Sequence, residues 1–388
     1  MPEPTEIFIN GRFLVRRATG VDRFARELLG ALDTLLAHDA ALAAAWRFTL
    51  LLPPEPAPVD LPAYSQLRVS RGGRLRGGLW EQLALPWLAR GRLLVSLCNA
   101  APALKRRQVV VIHDAAPARV PASYSRSFRL WYALLMPWLG RVAQRVLTVS
   151  DFSRRELTAV YGIPAARIRQ LPESGEHIRR VAADPAILAR HGLVTRPYVL
   201  GVSSMSPHKG FATLVGALEQ LGADAGFDVA IAGGTNPRIF AGTALPPWVK
   251  HLGYVSDAEL RALYENAACF VFPSWYEGFG LPAAEAMALG CPVIAARAAS
   301  IPEVCGNAAC YVAPRNAPAL AAALRHALSD PAWRERARRE GLAQSQTLRW
   351  ADSARAFLVA LAELRDPCPA RATPALRHAD TQEGRTQG

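Results

Sequence analysis

At 388 residues, with 51% apolar and 20% charged side chains, the chain is long enough for two ordinary globular cores and too apolar for a disordered or fibrous protein. Its net charge of +13 is one-sided: residues 1–180 hold 26 Lys or Arg against 14 Asp or Glu, and residues 181–388 hold 19 against 18. Such a field suits an anionic membrane or a phosphate-bearing substrate, with arginine-rich coding bias as the bland alternative, and no recognition motif accompanies it that would argue for nucleic acid.

The six cysteines, at 98, 269, 291, 305, 310 and 368, form no CxxC pair and no His–Cys spacing suited to zinc, so reduced thiols and no structural metal are expected. The start, MPEPTEIFIN, lacks a basic, apolar leader, and no run reaches about 18 apolar residues. The expected location is therefore cytoplasmic.

In chain order, Ile7–Gly11 reads as the first strand, and Thr19-Gly-Val-Asp-Arg-Phe24 opens a helix whose Gly20 and Arg23 can face an anionic group or simply cap. Phe48–Leu52 is a second strand. Trp80-Glu-Gln82 and the aromatic, basic run Tyr124–Arg145 lie in the charged half; core plus solvated rim is their plain reading, and rest on a bilayer the functional one. Val109–Ile112 runs into His113-Asp114 at a strand end, where a histidine is more often structural than functional. Arg145–Ser150 closes this set.

Around Pro172–Arg196 the rhythm pauses at Pro172, Gly175, Pro185 and Gly192. The expected layout is a first domain over 1–175, a linker over 176–196, a second domain over 197–349, a helix over 350–365 crossing back to the first domain, and a disordered tail over 366–388. In the second domain Tyr198–Val202 leads to Ser203-Ser-Met-Ser-Pro-His208-Lys209-Gly210, where a lysine after a strand is placed to neutralise phosphate or to face solvent. Val229–Ala232 precedes Gly233-Gly234, which is no GxGxxG fingerprint and speaks against a dehydrogenase. Strands alternating with helices throughout imply an α/β protein of parallel sheets, with ligands beyond the strands' carboxyl ends.

The most informative stretch is Cys269–Ala296. A strand ends at Pro273, a loop carries Glu277-Gly-Phe-Gly280, and a helix begins near Leu281 or Pro282 and stops at Gly290. Gly278 and Gly280 let backbone N–H groups approach an anion at the helix's positive end, as a diphosphate requires. Glu277 in the loop and Glu285 one turn into the helix can each accept hydrogen bonds from sugar hydroxyls; the plain alternative is an acidic helix start with Glu285 on a solvated face.

EGFGLPAAE resembles the Glu-x7-Glu motif of retaining family 4 glycosyltransferases (glycosyl transferases group 1) of bacterial polysaccharide assembly, and the resemblance runs from about residue 7 to about residue 364. It implies the GT-B fold, two Rossmann-like domains facing across a cleft. It implies that Glu277 contacts the donor sugar and Glu285 the ribose, with backbone contacts from Gly278, Phe279, Gly280 and Leu281. Lys209 matches the lysine of the family's Pro-Arg-Lys-Asn/Gly segment, which contacts the diphosphate. His208 stands where arginine is frequent, and Ser203 where some members carry another arginine. By the same resemblance His113 lies near the reacting sugar, Gly20 and Arg23 sit in the Thr-Gly-Val/Ile segment, and Gly253 and Val255 belong to the stretch that meets the base.

The implied reaction is metal-independent hexosyl transfer with retention, without a cofactor. The expected donor is a nucleotide sugar, GDP-mannose slightly ahead of dTDP- or UDP-sugars. The basic, aromatic segments of the first half point to peripheral contact with anionic lipid at the inner face of the cytoplasmic membrane, where a polyprenyl-diphosphate-linked oligosaccharide would be the acceptor, and no nucleic-acid partner is expected. A sugar-nucleotide epimerase of the same architecture and a non-catalytic sugar-nucleotide binder are the competing readings.

Overall fold

A computed structural model describes residues 3–16, 19–56, 61–202, 206–222, 226–234 and 249–364. The predicted tail over 366–388 and Ser203 lie outside the described residues.

The first half forms one seven-stranded sheet. Its strands are β1 (Thr5–Asn10), β2 (Trp46–Leu52), β3 (Arg68–Arg71), β4 (Leu93–Ser96), β5 (Gln108–Val111), β6 (Arg145–Thr148) and β7 (Ile168–Gln170), in the order β3-β2-β1-β4-β5-β6-β7. Every pairing is parallel. The second half forms a six-stranded parallel sheet of β8 (Tyr198–Val202), β9 (Asp228–Ala232), β10 (Val249–Gly253), β11 (Cys269–Phe272), β12 (Val293–Ala296) and β13 (Ala309–Val312), ordered β10-β9-β8-β11-β12-β13. β4, β5, β11 and β12 are buried along their whole length, and β11 and β12 accordingly read as unbroken apolar runs and not as alternating ones.

In each sheet the strand order reverses at one place, between β1 and β4 and between β8 and β11. Chains leaving neighbouring strands there turn in opposite directions and open a crevice at the carboxyl ends. The two crevices open into one cavity, and the candidate residues Lys209 and Glu277 line it.

Eight of the described helices cover these sheets or border the crevices: α1 (Gly20–His38), α2 (Arg126–Val142), α3 (Asp151–Tyr161), α4 (Phe211–Leu221), α5 (Asp257–Asn266), α6 (Leu281–Ala288), α7 (Ala317–Ser329) and α8 (Trp350–Ala362). α1 turns an apolar face of Phe24, Leu28, Leu32 and Leu36 onto the first sheet. α4 and α7 cover one face of the second sheet around Leu214, Leu218, Leu320 and Leu324. α8 ends the described chain against the first half. Its Phe357 and Trp350 are fully buried, ring to ring with Phe48 at 6.3 Å and Phe24 at 5.9 Å, and Glu363 just beyond it pairs with Arg145 and Arg169. None of the described helices is long and apolar enough to cross a membrane.

Sequence reading placed β1, β2, β5, β6, β8, β9 and β11 to within about two residues. β3 is exposed throughout, β7 holds one apolar residue in three, and β4 and β13 were not singled out.

Candidate active site between the two sheets

Lys209 and Glu277 come from the loops after β8 and β11, the two strands that flank the second reversal. The loops touch because residue 210 is glycine: its φ is +73°, and a Cβ there would lie 2.1 Å from the carbonyl oxygen of Pro273. Trp275 N–H also donates to His208 O at 2.9 Å. Lys209 Nζ thereby reaches both carboxylate oxygens of Glu277, at 2.8 and 2.9 Å. Both side chains are largely buried. Their charges are thus held at the edge of the cleft and not out in solvent.

Glu277 and Lys209 line a cavity of about 1060 Å³. The second half contributes Ser206, His208 and Tyr276 as well. The first half contributes Arg12, Arg16 and Thr19 from the chain after β1, Cys98 and Asn99 after β4, and Asp114 after β5; Tyr124, Phe128, Trp131 and Tyr132 form an aromatic flank. Both switch points therefore open into one space.

The glycine loop is also the seam between the halves. Gly278 O accepts from Ser150 Oγ at 2.6 Å and Ser153 Oγ at 3.0 Å, both in the first half at the start of α3. A Cβ on Gly278 would stand 2.8 Å from His113 O, so glycine is needed for this approach. Tyr276 OH meets Ala115 N–H at 3.3 Å and Glu156 Oε2 at 3.2 Å. Glu303 accepts from the Asp151 and Phe152 N–H groups, so a carboxylate of the second half caps a helix of the first. Gly280 immediately precedes α6 at φ +105°, and the backbone N–H groups of Gly278, Phe279 and Gly280 donate to no described residue. Unused donors beside a helix N-terminus suit an anion.

Glu285 is buried one turn into α6, not on a solvated face. His177 Nε2 donates to its Oε1 at 3.0 Å, and Tyr264 OH to its Oε2 at 3.3 Å. His177 Nδ1 faces Ser174 O at 3.2 Å, so both ring nitrogens meet acceptors and the imidazolium is the form that satisfies both. Burial opposes that charge, yet the Glu285 hydrogen bond and charge outweigh it and raise the His177 pKa.

His113 is arranged differently. Its Nε2 donates to Leu97 O at 3.0 Å, and its Nδ1 stands 3.6 Å from Glu173 Oε1. Burial raises the Glu173 pKa, against the pull of His113. The ring packs edge-on against Phe24 and is not part of the cavity wall; the His113 carbonyl is the atom that meets the glycine loop. Asp114, next in sequence, does line the cavity, with Oδ1 accepting from Ala116 N–H at 2.8 Å and burial raising its pKa.

His208 is buried, and Nδ1 lies 2.8 Å from Ser123 Oγ of the first half. Burial, with Lys209 adding to it, lowers its pKa to about 4, so the ring is neutral at pH 7. An uncharged His208 leaves Lys209 as the cation of this loop. Arg23 Nη2 pairs with Asp257 Oδ1 at 2.6 Å across the halves. Gly20 is exposed at the start of α1 with open space where a Cβ would be. Gly253, at φ +69°, closes β10, and Val255 packs partly buried against the core nearby.

Sequence reading passed over Glu173 and His177, because Pro172-Glu-Ser-Gly-Glu-His177 looks like linker punctuation. Gly175 brings that segment against α6, where a Cβ would be 2.2 Å from Ala284 O. One short segment thus supplies a partner to His113 and another to Glu285.

Among known proteins, residues 18–173 match the family described as Glycosyltransferase Family 4, and residues 196–330 the family described as Glycosyl transferases group 1. The chain is 36% identical over 220 residues to O-antigen chain mannosyltransferase B of Escherichia coli, covering 54% of this chain and 58% of that protein. It is 28% identical over 214 residues to the MMP alpha-(1->4)-mannosyltransferase of Mycolicibacterium hassiacum, covering 52% and 50%. The chain therefore spans about half the length of these curated relatives. Among solved structures, sucrose-phosphate synthase from Thermosynechococcus elongatus superposes with a TM-score of 0.69 at 22% identity over 93% of this chain and 99% of that one, a likeness of fold.

Proposed function

Since the chain belongs to the group 1, family 4 glycosyltransferases of GT-B fold, we propose that it moves a hexose, with retention of configuration, from a nucleotide sugar to a hydroxyl of a growing, lipid-linked bacterial glycan. Mannose from GDP-mannose is the first choice of donor, ahead of dTDP- or UDP-sugars, because the Escherichia coli and Mycolicibacterium relatives are both mannosyltransferases.

The observation that carries the reading is the Lys209–Glu277 pair beside the unused N–H groups of the glycine loop. In the proposed complex the donor diphosphate draws Lys209 and sits on the Gly278–Leu281 backbone at the start of α6. Positive charge is then fixed where negative charge grows as the nucleoside diphosphate leaves. Glu277, released from Lys209, orients the sugar hydroxyls. Glu285, held by His177 and Tyr264, accepts from the ribose. Gly253 and Val255 border the base, and Ser203 and His208 flank the phosphates. His113 acts through its carbonyl and the Glu173 pair, as a support for the sugar end of the site. Gly20 and Arg23 sit at the start of α1 at the interface of the halves, where Arg23 holds it through Asp257.

The acceptor enters from the first-half side, along the aromatic flank, with its reactive hydroxyl on the face from which the diphosphate departs. No enzyme nucleophile, divalent metal or cofactor has a role in this scheme. Closure over the seam keeps water from the sugar and limits donor hydrolysis.

The test is transfer from a panel of nucleotide sugars to lipid-linked acceptors, with products read by mass spectrometry and the new linkage by NMR. An α-linked product from GDP-mannose, formed equally well in EDTA, supports the reading. Interconversion of the donor sugar without an acceptor, or donor binding without turnover on any acceptor, overturns it.

A further inference from the structure

The first half carries two apolar stripes that its core does not use. A helical run, α over Gly77–Leu79, π over Trp80–Ala84 and α again over Leu85–Leu88, buries Trp80, Glu81 and Leu85 on one side. On the other, Leu79, Leu83 and Trp87, four residues apart, are each more than half exposed. Likewise α2 buries Leu135, Met136 and Leu139, while Leu130 and Leu134 are about two-thirds exposed and Trp131 and Trp138 nearly half.

The stripes belong to one surface. Trp138 Nε1 donates to Ala103 O at 2.8 Å, Ala103 N–H to Gln82 Oε1 at 2.9 Å, and Gln82 Nε2 to Ala101 O at 3.0 Å. The segment joining them ends in Leu104, which is 79% exposed. Leu79 from one stripe and Trp131 from the other both border the large cavity. A continuous patch of this kind on a soluble face marks a partner.

Charge identifies the partner. Residues 71–145 hold thirteen Lys or Arg and two acids. Of the acids, Glu81 is buried against Arg12 at 2.8 Å, and Asp114 lies in the cavity. Arg74, Arg106, Arg126 and Arg129 are exposed without an acidic partner among the described residues. Tryptophans and leucines ringed by unpaired arginines match an interface whose headgroups are anionic and whose interior is hydrocarbon.

We infer that the helical run 77–88 and α2 form a docking face that seats the cavity mouth on an anionic bilayer, with Leu79 and Trp131 as the sides of a portal opening into the membrane. A lipid-linked acceptor then presents its glycan to Glu277 while its anchor stays in the bilayer. The acceptor part rests on the proposed function; the docking part does not.

The test uses the full-length chain and flotation with vesicles of phosphatidylcholine, with or without phosphatidylglycerol. The wild type floats with the anionic vesicles and is released by salt. A triple variant, L83S/W87S/L134S, whose residues lie outside the cavity wall, loses at least tenfold in vesicle binding with an unchanged melting temperature. Its transfer to a water-soluble acceptor is unchanged, and its transfer to a vesicle-embedded acceptor falls at least tenfold. R74Q/R106Q/R129Q weakens binding to anionic vesicles only and flattens the salt dependence. Equal flotation of the triple variant and wild type overturns the proposal. So does a wild type that ignores vesicles and runs in light scattering as a dimer that the triple variant dissociates, which would make the face an interface between copies. Flotation that behaves as expected with no transfer to either acceptor leaves the docking face standing and rejects the proposed reaction.

Discussion

Lys209 Nζ contacts both oxygens of Glu277, and the two side chains reach each other from loops 68 residues apart because Gly210 lets those loops touch. In the proposed reaction the same pairing holds the cation ready for a diphosphate and the carboxylate ready for a sugar. Replacing Glu277 by Gln keeps the shape, removes the charge and leaves Lys209 without its anion. The expected outcome is a loss of about 10²–10³ in kcat with nucleotide affinity changed by less than about threefold. Steady-state kinetics with calorimetric binding of the nucleoside diphosphate checks it; equal losses in both would assign Glu277 to general donor binding.

Glu285 and His177 form a buried pair whose histidine pKa is raised above the ordinary 6.5. A raised folded pKa contributes stability below the unfolded value that is lost as pH rises through the folded one. Thermal unfolding should therefore drop in midpoint as pH climbs upward from 6.5, and His177→Gln should flatten that slope. Glu285→Gln should weaken donor binding about tenfold or more, the scale of a charged hydrogen bond.

His208 titrates in the opposite sense. Its pKa falls from 6.5 to about 4 on folding. Between those values the unfolded chain takes up a proton that the folded chain refuses, so stability declines as pH falls from 6.5 toward 4. A His208→Gln variant should lose less of its melting temperature than the wild type over that range, read by differential scanning fluorimetry. A parallel decline would place the acid sensitivity elsewhere.

At the seam, Gly278→Ala sets a methyl group 2.8 Å from His113 O, and neither partner is a flexible side-chain tip. The glycine loop must back away from the first half or the halves must part. A cost of about 1–3 kcal/mol is expected. Ser150→Ala with Ser153→Ala removes two donors to Gly278 O without a clash, at about 1 kcal/mol each. Both changes should raise donor hydrolysis relative to transfer. An unaltered ratio in both would dissociate the seam from water exclusion.

Much of this was legible in the residues. Fully buried parallel strands announce themselves as apolar runs, and the glycine–proline boundary of α6 fixed the position of Glu285 relative to Glu277. The side of the helix was not legible: an acidic residue one turn into a helix is ordinarily solvated, and only the packing of Tyr264 and His177 shows that Glu285 is enclosed. The same limit applies to Arg23, whose partner Asp257 lies 234 residues away. Adjacent residues also separate: His113 and Asp114 share a strand end, yet the ring of the first turns to Leu97 O and Glu173 while the carboxyl of the second faces the cavity. A sequence places both at the site and cannot say which one looks into it.

α8 belongs in space to the beginning of the chain. Phe357 and Trp350 complete the core around Phe48 and Phe24, so the first half of the protein is sealed by its last described helix. On the ribosome, β7 emerges nearly two hundred residues before that helix, an interval of roughly 10–40 s at ordinary elongation rates. Throughout it the nascent first half lacks the helix that covers Phe24 and Phe48, so its core is completed only once α8 has emerged.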